Sequence, residues 1–127
     1  MNVPALSAVS LVLLYVGLSV NVSRVRWRRR KHPQVDEDAL EKAVRAHGNA
    51  AEYVPLIVAT LLYLSYAPQH IVLDAVAVLA VISRVAHAVG MLRASRAGAA
   101  HPLRSLGALG TYLCLFAIAA AMLRRIL

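Results

Sequence analysis

Residues 4–22 and 105–123 contain no Asp, Glu, Lys or Arg, residues 46–67 contain Glu52 alone, and residues 71–92 contain only Asp74 and Arg84. Runs of this length match the ~20 residues that a helix needs to cross a hydrocarbon core ~30 Å thick. A transmembrane β-barrel would instead alternate apolar and polar residues over strands of ~10 residues. Composition points the same way. The chain is 60% hydrophobic and 16% charged, against ~45–50% and ~25% in soluble domains, and so apolar a chain is not disordered. The expected fold class is an all-α membrane protein, a four-transmembrane-helix antiparallel bundle. Its helices are placed over about residues 4–26, 39–66, 69–93 and 102–125.

The first run does not read as a signal peptide, because Met1-Asn2-Val3 carries no basic residue and the basic cluster follows the apolar run. The +8 net charge is also unlike that of a nucleic-acid binder. Its basic residues sit between apolar blocks, with no zinc-finger spacing, RNP-like sequence or glycine-rich phosphate loop. The first connection carries Arg24, Arg26, Arg28, Arg29, Arg30, Lys31 and Lys42, and the third carries Arg93, Arg96 and Arg104. Ala67-Pro68-Gln69-His70 has no Lys or Arg. The positive-inside rule then places the first and third connections in the cytoplasm and both termini on the non-cytoplasmic side. The basic cluster is expected at anionic headgroups. One cysteine, Cys114, excludes an intrachain disulfide framework.

Helix two is expected to begin before the membrane. Asp38-Ala39-Leu40-Glu41 has capping-box spacing, with Asp36 and Glu37 favouring the positive helix end. Pro68 and Pro102 mark the starts of helices three and four. Short connections favour antiparallel neighbours in a bundle.

Several polar residues inside these helices need a reason. Arg45, Asn49 and Glu52 share one face at spacings of four and three, and Gly48 on that face admits a close approach. Pro55 loosens the backbone one turn further in. Intramembrane ionisable groups are costly and are either functional or paired. A purely structural reading is a network of Arg45, Glu52 and Arg84. Arg84, His87 and Met91 share a face of helix three. His87 alone reads as a hydrogen-bonded packing residue, and with no second ligand at metal spacing no metal site is expected. Arg104 and Ser105 open helix four, where free N–H groups favour anions. An arginine and a hydroxyl there can hold a carboxylate or lower the pKa of a thiol. The plainer reading is an anchoring arginine with a capping serine.

The run Arg45-Ala46-His47-Gly48-Asn49-Ala50-Ala51-Glu52-Tyr53-Val54-Pro55-Leu56, followed in order by Arg84-Val85-Ala86-His87 and Leu103-Arg104-Ser105, resembles the MAPEG family. These are the membrane-associated proteins in eicosanoid and glutathione metabolism, and the likeness is to small bacterial members. It covers nearly the whole chain and implies a single membrane domain over residues 1–127. The resemblance further implies a homotrimer in a bacterial inner membrane, with glutathione as cosubstrate between adjacent protomers near the cytoplasmic side. Hydrophobic small-molecule acceptors would arrive from the lipid. It implies that Arg26, Arg45, Asn49, Glu52, Arg84 and His87 bind glutathione or line its site, and that Arg104, with Ser105 beside it, activates the thiolate. Gly48 stands where some enzymatic members carry an arginine, and Met91 where a glutathione-contacting tyrosine is common.

The expected function is a glutathione-dependent transferase or peroxidase acting on apolar electrophiles. The alternative is a non-enzymatic lipid-binding or scaffold trimer of the same fold. Neither reading involves nucleic acid.

Overall fold

A computed structural model describes residues 1–32, 37–66 and 70–127. It contains α1 (Val3–Lys31), α2 (Glu37–Ser65), α3 (Ile71–Arg93) and α4 (Pro102–Ile126). Asp36 and Pro68, expected at the starts of helices two and three, lie outside the described residues.

Each helix begins or ends for a local reason. Asn2 caps α1 by accepting the Ala5 N–H, with Pro4 in the first turn. The helix runs through the basic cluster to Lys31, five residues past the expected end at residue 26. Arginine and lysine are good helix formers, and their charge suits the negative C-terminal end. His70 and His101 cap α3 and α4 through their ring Nδ1 atoms, which accept from Val72 N–H and Leu103 N–H. The cap of α4 is therefore His101, not Ser105, whose own N–H already bonds the His101 carbonyl.

The expected capping box of α2 does not form. The helix is already under way at Glu37, and Glu41 pairs with Arg45 at 2.9 Å. Asp38 turns instead to the α3–α4 connection. It accepts the Ala97 N–H and pairs with Lys42 Nζ at 2.9 Å, while Lys42 also donates to the Ala94 carbonyl at 3.2 Å. The Lys42 hydrogen bond, then the Ala97 N–H, holds the Asp38 carboxyl below its usual range.

These contacts join the start of α2 to the α3–α4 connection at one end of the bundle, where Arg29 near the end of α1 also pairs with Glu37 at 3.5 Å. At the other end Asn2 donates to the Ser65 carbonyl and Arg125 to the Tyr63 carbonyl. Successive helices are thus antiparallel. α1 packs on α2, α3 touches all three other helices, and α4 rests mainly on α3, with only slight contact to α2.

The core is built from small and aliphatic residues, including Leu11, Ala50, Ile57, Leu61, Ala77 and Ala80. The outward faces are apolar as well. Leu13, Val20, Leu56, Ile82, Leu109 and Phe116 are all exposed. A bundle apolar inside and out belongs in lipid. By length and composition, α1, α3 and α4 can each cross a membrane. α2 falls short of that measure because polar residues occupy its first half, although Tyr53–Ser65 carries no charge. The chain is an integral membrane protein.

Glycine decides how α3 and α4 meet. A Cβ on Gly90 would lie 2.3 Å from the Arg104 nitrogen, and one on Gly107 would lie 2.4 Å from the His87 nitrogen. Gly110 presses likewise on the Ser83 side chain. Only residues without a side chain allow backbones this close. A Cβ added at Gly48, expected to admit a close approach, would meet nothing within 4 Å among the described residues.

Candidate functional site

The contact between α3 and α4 is close, but α2 and α4 stand apart, and polar side chains collect in the gap. Asn49 and Tyr53 come from one face of α2, Arg84 and His87 from one face of α3, and Ala108, Thr111 and Tyr112 from one face of α4. Together they line a cavity of about 30 Å³. That is about the share of volume of one water molecule in the liquid.

Arg84 sits at its centre. It is only 2% exposed. Its guanidinium donates to Asn49 Oδ1 at 2.7 Å and stands 5.1 Å from the Tyr53 ring centre. Its Nε is buried without a hydrogen-bond partner among the described residues. Arg84 forms no ion pair there either, so its direct contacts are a neutral amide and a ring face, and the Glu52 carboxylate acts on it only at longer range. Burying a cation on such terms is costly, and a small anion close by would offset the cost.

His87, 6% exposed, places Nδ1 2.8 Å from the Arg104 carbonyl. A carbonyl only accepts, so Nδ1 carries the proton and a neutral ring leaves Nε2 with a lone pair. Tyr53 and Tyr112 close the gap between α2 and α4. Their hydroxyls are 3.2 Å apart and their rings meet edge to face.

The expected site residues divide between this cavity and other places. Asn49, Arg84 and His87 are together. Arg45 is not with them, since it is half exposed and pairs with Glu41, and its expected network with Glu52 and Arg84 is absent. Glu52 is exposed and forms no ion pair among the described residues. The reason is reach. Glu41 is one helical turn from Arg45, whereas Glu52 is two turns away, about 10 Å along the axis.

Arg26 lies along a separate groove with Arg29, Arg30 and Leu40. Arg104 turns its guanidinium to the Gly98 and Ala99 carbonyls, at 3.2 and 3.3 Å, and Ser105 is exposed. Met91 packs against the apolar core. Tyr53, Thr111 and Tyr112 were not anticipated. Tyr53 lies four residues from Asn49, Tyr112 seven from Ser105 and Thr111 four from Gly107, so helical spacing was the available signal.

No curated protein matches the chain. The family model of the MAPEG family matches residues 4–124, nearly the full length and including every residue of the cavity. This integral membrane protein belongs to the MAPEG family.

Proposed function

We propose that this protein is a membrane-embedded glutathione-dependent transferase or peroxidase acting on apolar electrophiles. The observation that carries the reading is the buried Arg84, without an ion pair among the described residues, beside a cavity with room for one small group. A thiolate sulfur suits both the charge and the size. A whole tripeptide does not fit in about 30 Å³, so its backbone and carboxylates belong outside the cavity. Arg26 and Arg45, exposed on other parts of the surface, are available to its carboxylates if sites form between protomers of a homotrimer. All four helices then lie in the bilayer, with both termini on the non-cytoplasmic side of a bacterial inner membrane.

In this reading Arg84 stabilises the thiolate, and Asn49 and Tyr53 hold Arg84 in place. His87 Nε2 takes the thiol proton as the sulfur loses it. The sulfur then attacks the acceptor's electrophilic carbon, and the leaving group departs with its electron pair. Arg104, tied to two loop carbonyls, positions His87 through its own backbone. Ser105, next to it in the chain, is exposed.

The test is a glutathione titration of the detergent-purified protein, followed by thiolate absorbance near neutral pH. A saturable signal is expected, abolished in Arg84→Met and at least partly kept in Arg104→Gln. The converse pattern would give the thiolate to Arg104. Arg84→Lys, which keeps the charge, separates loss of chemistry from loss of fold.

A non-enzymatic lipid-binding or scaffold trimer is the second reading. Gly48 in open space and Met91 in the core favour it, since neither supplies a polar contact. Absence of any thiolate signal in the wild-type protein would put this reading first.

A further inference from the structure

α3 and α4 are pressed together at one end by Gly90, Gly107 and Gly110. At the opposite end, where α3 starts and α4 finishes, they enclose a groove of about 390 Å³. The wall on α4 is made of Ala117, Ala120 and Ala121, and the wall on α3 of Val72, Leu73 and Val76. Methyl groups facing branched side chains at this end do not close the space that the glycines close at the other.

The rim of this apolar groove is cationic. Arg124, Arg125 and His70 line it. Arg125 is fixed in place, donating to the Tyr63 carbonyl at 3.3 Å and lying 5.0 Å from the Tyr63 ring centre. Its remaining N–H groups are left for another acceptor. Neither arginine forms an ion pair among the described residues. The His70 Nδ1 accepts from Val72 N–H, so the ring proton of the neutral side chain is on Nε2, a donor. Asp74, the carboxylate in the first turn of α3, is not part of the lining.

We propose that this groove seats an anionic phospholipid, its phosphate against Arg124, Arg125 and His70 and an acyl chain along the α3 and α4 walls. The volume falls in the usual range for small-molecule sites, ~300–1,000 Å³. Charge complementarity selects the headgroup, since guanidinium groups bind phosphate through paired N–H donors. The apolar walls select a chain over a free anion. The site lies at the far end of the bundle from the Arg84 cavity and is independent of any thiol chemistry.

Native mass spectrometry of the detergent-solubilised protein tests this, with phosphatidylglycerol and phosphatidylcholine of identical chains supplied at equal concentration. The wild type is expected to retain phosphatidylglycerol roughly tenfold better, equivalent to about 1.4 kcal/mol. Arg124→Gln/Arg125→Gln is expected to bring the ratio close to one. Ala120→Trp, which fills the groove but keeps both arginines, is expected to lower retention of both lipids. Ala117→Leu, a smaller plug on the same wall, replaces it if the tryptophan prevents folding. A preference that survives the double arginine substitution would overturn the proposal and assign the lipid to the basic end of α1. Unchanged retention in the groove-filling variant would overturn it too, reducing the contact to headgroups at the rim.

Discussion

Arg84 donates to Asn49 Oδ1 at 2.7 Å across the α2–α3 interface, so the side-chain hydrogen bond of a buried charge rests on one neutral amide. Asn49→Leu removes that acceptor and leaves the cation stranded. The expected loss is about 1.5–3 kcal/mol, as for a hydrogen bond to a charged group. Arg84→Met/Asn49→Leu removes charge and partner together and is expected to recover most of that loss. Unfolding in mixed detergent micelles compares the two variants. A double variant no more stable than Asn49→Leu would show that the cation is not the source of the cost.

The glycines separate packing within the protomer from contacts outside it. Gly90→Ala and Gly107→Ala place a methyl group against backbone atoms at 2.3 and 2.4 Å. Each is expected to cost about 1–3 kcal/mol or more, because α3 and α4 must move apart. Gly48→Ala meets open space and is expected to stabilise α2 by up to about 1 kcal/mol through helix propensity. If Gly48→Ala leaves the fold stable but weakens assembly or glutathione binding, a neighbouring protomer or the tripeptide passes over that position.

Acid should release the α3–α4 connection from α2. Lys42 and the Ala97 N–H hold the folded Asp38 carboxyl below its ordinary value of 3.8. A group depressed in the folded state contributes its stabilisation above the unfolded pKa and loses it as pH falls through the folded one. Protection of the Ala97 amide from hydrogen exchange is therefore expected to be full at neutral pH and to fall below about pH 4. Asp38→Asn is expected to be less protected at neutral pH and to lose this acid dependence.

The helices were legible because each apolar run is long enough to be unambiguous, and α3 and α4 start within two residues of their expected positions. The end of α1 was misjudged because charge was read as the end of the membrane, when arginines extend a helix readily. Asn49, Arg84 and His87 could be singled out as polar residues sharing faces. Their partners could not, because pairing depends on how each helix is rotated about its axis. Arg45 shows this: Glu41 and Glu52 both lie within two turns, and only the structure shows Glu41 taking it. Tyr53 and Tyr112 were missed for a different reason. A tyrosine in an apolar helix reads as packing until a second hydroxyl is found 3.2 Å away.

Tyr112 has a second role, which sets a test of how an acceptor reaches the thiol. It lines the polar cavity and also an apolar groove of about 470 Å³ with Leu56, Thr60, Leu115, Phe116 and Met122. It is the one described residue that lines both, and its hydroxyl faces that of Tyr53. Tyr112→Phe keeps the ring and removes one neutral hydrogen bond, worth about 1 kcal/mol. The expected result is a roughly fivefold weaker thiolate signal with an unchanged KM for a long apolar acceptor. Tyr112→Ala opens the cavity to the groove. It is expected to change the KM of the long acceptor while leaving that of a small water-soluble electrophile alone. Steady-state kinetics with both substrates distinguishes these effects. Equal shifts for the two acceptors in both variants would mean that the acceptor does not approach along the α2–α4 groove.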